Sequence, residues 1–109
     1  MPEVTETPVL DLLATMTADS LEATTLDPDK VMLVRIAALV AMDAPPVSYM
    51  FNLGTAADFD VDADDVRGVL TAIAPIVGTA RVASATGNIV RALGLAIDLA
   101  EFDDEAPEA

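Results

Sequence analysis

The chain has 109 residues, a formal net charge of −14 from 19 acidic and 5 basic residues, and neither Cys nor His. This length suffices for one domain whose core needs no metal or disulfide. The missing Cys and His exclude thiol chemistry, the usual general base and the commonest metal ligands, so we expect no metal and no cofactor. The acidic charge disfavours nucleic acid and membrane surfaces as partners, because phosphate binding needs clustered cations.

The first predicted element is an amphipathic helix over residues 8–23. Its apolar residues recur at helical spacing; they are Val9, Leu12, Leu13 and Met16. Residues 1–7 are predicted to be a flexible arm. This arm is acidic and does not have the basic start of a signal peptide, so we expect a soluble, cytoplasmic protein.

Asp27 and Pro28 predict the start of a second helix, with Asp as N-cap and Pro at the first helical position. The sequence KVMLVRIAALVAMD that follows is apolar almost all round, so we expect this helix to be buried on every side. Hydrophobic residues make up 53% of the chain. A monomer of this size would struggle to bury them all, which indicates an oligomer.

The third helix is predicted to begin at Pro46, and the fourth is predicted to follow a capping box formed by Asp62 and Asp65. Gly78 is predicted to end the fourth helix, and Thr79 to cap a last, Ala-rich helix. No segment alternates with a period of two, so the fold class is all-α with about five helices. They form one domain over residues 8–102, and residues 103–109 are an acidic tail that we expect to be disordered.

The sequence of residues 58–85, DFDVDADDVRGVLTAIAPIVGTARVASA, combines an acid-capped helix, a stop at Gly and an Ala-rich helix. This order resembles the carboxymuconolactone decarboxylase and AhpD-like family, and residues 33–52 are similar to the central helix pair of that family. The likeness covers about residues 27–99 and rests on spacing and small residues. It implies an AhpD-like helical domain that assembles with itself as a homotrimer or homohexamer.

The same resemblance implies where reactive residues would lie. The Cys-x-x-Cys pair of the peroxidase-reducing branch falls on Pro45 and Ser48, and its His falls on Asn52. The general acid falls near Leu33, and a second His, often found on the Ala-rich helix, falls on Ser84. Neither chemistry of the family carries over to these residue types, so the catalytic residues, if any, are unknown.

Five polar residues remain as candidates for ligand binding: Arg35, Ser48, Tyr49, Asn52 and Ser84. Arg35 interrupts an apolar helix, and its charge needs either a structural ion pair with an acid or the carboxylate of a ligand. Tyr49 is either a half-buried aromatic with a wet hydroxyl or part of a pocket wall. Asn52 either bonds a neighbouring backbone or a partner subunit, or orients a ligand.

A calcium site at the aspartates of residues 58–65 is disfavoured. An EF-hand loop that began at Asp58 would need Gly at position 63 and Glu at position 69, where Ala and Val stand.

Two functions follow from the sequence. The first is an oligomeric scaffold or small-ligand-binding protein, for an acidic or apolar ligand, without thiol peroxidase activity. The alternative is a cofactor-free lyase- or isomerase-like enzyme acting on a small acidic or carbonyl substrate. Such an enzyme would use Arg35, Ser48, Tyr49 and Asn52 for electrostatics and orientation.

Overall fold

A computed structural model describes the backbone of residues 6–104 and the side chains of residues 6–94. This part of the chain contains helices and no strands. The five helices are α1 (Pro8–Ala23), α2 (Pro28–Ala41), α3 (Pro46–Asp58), α4 (Ala63–Val77) and α5 (Thr79–Asp104). The all-α fold class is confirmed. Most of the predicted arm and tail (residues 1–5 and 105–109) lies outside the described residues, and α5 passes the predicted domain end at residue 102.

Proline and aspartate set the helix starts. A Pro occupies the first turn of α1, α2 and α3, where its missing N–H costs no helical hydrogen bond. Asp27 is the N-cap residue of α2 as predicted, but its carboxylate makes no cap bond and lies 3.6 Å from the ammonium of Lys30. At α4 the predicted capping box forms in both directions, with bonds of 3.0 and 3.1 Å between Asp62 and Asp65.

One residue, Gly78, connects α4 to α5. Its N–H donates to the carbonyl of Ala74 in α4, and its own carbonyl accepts from the N–H of Val82 in α5. The φ angle of Gly78 is 86°, a region that residues with a Cβ rarely adopt. The prediction that Thr79 caps α5 was therefore wrong, since Thr79 is already the first helical residue and Gly78 occupies the cap.

The core consists of two clusters that share α2. Cluster 1 surrounds the first half of α2 and the α3–α4 turn; its buried members are Val31, Met32, Ile36, Ala56 and Val61. Cluster 2 joins the end of α2 to α3 and α5; its buried members are Val40, Ala44, Tyr49, Ala85 and Ala92. Both Ala85 and Ala92 are 1% exposed. Their small side chains let α5 approach α3 and α2 closely.

The prediction that α2 is buried on every side was wrong. Ile36 has no exposed surface, whereas Val34 on the opposite face is 56% exposed. The difference arises because α3, α4 and α5 pack on α2 from one side, and no helix within the described part of the chain covers the other side.

Helix α1 lies outside this four-helix bundle. It has no buried residue, and its apolar side chains at positions 9, 10, 12, 13 and 16 are 49–67% exposed. It touches the bundle through Leu21, which packs on cluster 1. Among the helices of residues 6–104, none is both long enough and apolar enough to cross a membrane.

We predict that Asp62→Ala lowers the free energy of unfolding by about 1 kcal/mol, because it leaves an N–H of the first turn of α4 without an acceptor. The matched control is Asp64→Ala, which removes another exposed carboxylate that pairs with Arg67 but caps nothing. The measurement is urea unfolding at low and high salt. The loss of stability in Asp62→Ala should persist at high salt. Any loss of stability in Asp64→Ala should disappear at high salt, because salt screens charge interactions. Equal losses that both vanish in salt would mean that charge, and not the capping box, stabilises the start of α4.

Candidate functional site

The turn between α2 and α3, residues 42–45, contains Pro45, one of the positions where the family resemblance places a reactive residue. Asp43 adopts a left-handed conformation, with φ of 54°. The N–H groups of Asp43 and Ala44 donate to the carbonyls of Val40 and Leu39. This is the Schellman arrangement, in which a left-handed residue ends a helix and is usually Gly or Asn. We call this turn, together with its contacts on α5, the hinge.

Three polar side chains of α5 hold the hinge. Ser84 donates to one carboxylate oxygen of Asp43 at 2.6 Å, and Arg81 lies 3.6 Å from the other oxygen. Asn88 donates through its amide to the carbonyl of Ala44 at 3.2 Å. Positions 81, 84 and 88 share one face of a helix. The hinge is thus a structural link between α2 and α5 built from mutually satisfied polar groups.

Tyr49 lies beneath the hinge in cluster 2, with no exposed surface. Among the described residues its hydroxyl has no hydrogen-bond partner. The predicted wet hydroxyl was wrong, because α3 places position 49 on the face that packs against α5. Burial, and then the negative charge of Asp43, raise the pKa of Tyr49 above its ordinary value of 10.0. This side chain therefore stays protonated near neutral pH and cannot act as a base there.

Ser48 and Asn52 meet within α3. The amide of Asn52 donates to the backbone carbonyl of Ser48 at 2.8 Å. This matches the interpretation that Asn52 bonds a neighbouring backbone. An amide held this way has one donor fewer for a ligand.

Arg35 lies apart from the hinge. Its guanidinium donates to the backbone carbonyl of Thr17 in α1 at 3.1 Å, and it forms no salt bridge with any residue that the structure describes. Of the two alternatives given for Arg35, an ion pair with an acid is not seen among the described residues, and the guanidinium contacts a backbone carbonyl oxygen of α1. Arg35 thus fastens α1 to α2.

None of the five candidate residues lines either of two cavities that open on the described surface, one acidic and one apolar. One is an acidic cleft of about 390 Å³, whose carboxylates belong to Asp29, Asp58, Asp60 and Asp65. No group of three or more acidic side chains in residues 6–94 is arranged to hold a metal ion. The other, of about 420 Å³, is apolar and lies between α3, α4 and α5. We call it the α4–α5 groove.

Ser84 and Tyr49, two of the five candidates, lie at the hinge, whereas Asp43, Arg81 and Asn88 were not among the candidates. One signal was readable: three polar residues at helical spacing in an Ala-rich helix. The left-handed Asp43 gave no such signal, because Gly or Asn is the usual residue at that position. The residues that the structure assembles hold the turn in place through a carboxylate, a hydroxyl, a guanidinium and an amide.

Comparisons with known protein families, with curated proteins and with solved structures find no match to this chain. The resemblance to the carboxymuconolactone decarboxylase and AhpD-like family therefore stays a hypothesis.

We predict that Asp43→Gly and Asp60→Gly differ in stability, although both replace a left-handed Asp. Asp60, with φ of 65°, ends α3 in the same way, but no hydrogen bond of its side chain is present among the described residues. Asp60→Gly should raise the free energy of unfolding by about 0.5–1 kcal/mol, since Gly relieves left-handed strain. Asp43→Gly should be about 1–2 kcal/mol less stable than Asp60→Gly, because it loses the hydrogen bond from Ser84 and the ion pair with Arg81. Equal stabilities in urea unfolding would contradict a structural role for the hinge.

We further predict that Tyr49→Phe raises the free energy of unfolding at neutral pH by about 1 kcal/mol, because it removes a buried hydroxyl that has no partner. Above pH 10 the unfolded wild type ionises first, since the folded pKa is raised. Wild type should therefore lose stability there relative to the variant. Urea unfolding followed by circular dichroism measures both effects. A variant destabilised by more than about 1 kcal/mol would mean that the hydroxyl has a bonding partner in solution.

Proposed function

We propose that this chain is a homo-oligomeric helical scaffold that carries out no thiol peroxidase chemistry. The observation that carries the proposal is the exposed apolar face of α1. Its Val, Leu and Met side chains at positions 9, 10, 12, 13 and 16 are each at least 49% exposed, and burying one fully is worth about 1.5–3 kcal/mol. Exposed apolar surface on this scale is typical of an interaction site.

The dimensions of the chain also support an oligomer. Its radius of gyration is 15.9 Å, against about 13 Å for a compact domain of this length. A second exposed apolar surface, on α4 and α5, includes Val90 and Leu93. A chain with apolar surface on two sides can contact two neighbours, as in the homotrimer or homohexamer that the family resemblance implies.

The enzyme alternative has weaker support. A lyase- or isomerase-like site would need Arg35, Tyr49 and Asn52 to face one substrate, and these side chains contact α1, cluster 2 and the backbone of α3 instead. Binding of a small apolar ligand has one favourable observation, the α4–α5 groove, whose volume falls in the usual range for ligand sites.

We predict that sedimentation equilibrium at micromolar concentration gives three or six times the chain mass of 11.3 kDa. The physical reason is that a monomer would leave the apolar side chains of α1 and of the α4–α5 surface exposed to water. A mass of 11.3 kDa at this concentration would overturn the scaffold proposal.

A further inference from the structure

The α4–α5 groove is an apolar channel on the face of the bundle away from the hinge residues. Its lining comes from α3, the α3–α4 turn, α4 and α5; the apolar members include Ala57, Val61, Val66, Leu70, Ile89 and Leu93. One cation, Arg67, and one anion, Asp62, lie among the lining residues. Arg67 pairs with Asp64 on the surface of α4, an exposed pair of the kind that contributes little and exchanges readily.

Helix α1 has the pattern that such a groove accepts. Its exposed residues Val9, Leu12, Leu13 and Met16 follow the i, i+3, i+4, i+7 spacing by which an amphipathic helix enters an apolar groove. One charge contact between the two is available. α1 carries Asp11, Asp19 and Glu22 and contains neither Lys nor Arg, and Arg67 is the cation of a groove lining that also contains Asp62.

We propose that α1 of one copy occupies the α4–α5 groove of a second copy. This inference rests on the proposed scaffold function. In the structure, α1 is held along its own α2 by Leu21 and by the Arg35 bond to Thr17, and its first turns project away from any contact. The apolar face therefore becomes available to another molecule. Each copy gives one helix and receives one, a heterologous contact that forms a ring in the homotrimer or homohexamer proposed above.

The exposed area is consistent with this exchange. The chain exposes 7827 Å², about 2,100 Å² more than a compact monomer of its mass. A stable interface takes about 800 Å² from each partner. A chain that uses two such surfaces, one on α1 and one at the groove, would bury most of this excess.

The first test uses three substitutions that each add one negative charge to an exposed apolar site. We expect Leu13→Asp in α1 and Val90→Asp at the groove to raise the dissociation constant of the oligomer at least tenfold. Ile76→Asp lies on α4 outside the groove lining, at a side chain 86% exposed, and should change it less than twofold. Analytical ultracentrifugation measures association, and circular dichroism confirms that each variant folds.

The outcomes separate the two proposals. A wild-type chain that stays monomeric overturns the scaffold proposal and this inference with it. A wild-type oligomer that Leu13→Asp and Val90→Asp leave intact overturns the helix exchange alone. The dye anilinonaphthalene sulfonate binds exposed apolar surfaces. If the oligomer still binds this dye and Val90→Asp abolishes the binding, the groove is an open ligand site in the assembly, which also overturns the exchange.

A second test exploits the absence of native Cys. Leu13→Cys and Val90→Cys are made in separate chains, which are mixed and treated with a short bismaleimide. We expect a cross-linked pair that contains one chain of each kind, and none when Leu13→Cys is mixed with Ile76→Cys. Equal cross-linking in both mixtures would mean that α1 contacts other copies without selecting the groove.

A matched pair of substitutions tests the role of charge. Arg67→Glu and Lys30→Glu change the net charge equally, but Lys30 lies on α2 beside Asp27 and away from the groove. We expect Arg67→Glu to weaken association at least fivefold more than Lys30→Glu, and Asp11→Lys to restore part of that loss. Identical weakening by both would show that overall repulsion, and not the Arg67 contact, is responsible.

Discussion

The buried face of α2 is the surface on which α3, α4 and α5 all pack. Four of its residues, Val31, Met32, Ile36 and Val40, supply buried side chains to both core clusters. Because one helix serves two clusters, the three partners cannot shift independently without opening a cavity beside α2. The hinge follows from this constraint. Its short turn must reverse the chain so that α3 returns along α2, and polar bonds from α5 then hold the turn in place.

Polar groups of the described residues bond either within one helix or between two helices. Asp43 bonds α5, Arg35 bonds α1, and the Asp62–Asp65 pair starts α4. Each of these groups begins a helix, ends one or joins two of them. Satisfied polar pairs of this kind stabilise the arrangement of the helices.

Local signals in the sequence predicted the helix starts well. The prolines at positions 8, 28 and 46, the capping box at Asp62 and the break at Gly78 act through backbone geometry within a few residues. Long-range contacts were harder. The sequence could not reveal that α1 leaves one side of α2 uncovered, or that Tyr49 faces α5 without a partner, because these features depend on which helices meet. The left-handed Asp43 was hidden for another reason, since its residue type does not require that conformation.

The position of Tyr49 gives the protein an internal optical reporter. The chain has one Tyr and no Trp, so near-ultraviolet absorption and emission come chiefly from a single ring in cluster 2. Its signal reports the contact between α3 and α5 without background from α1 or the groove. Loosening of cluster 2 can thus be followed separately from association of the chains, without any added label.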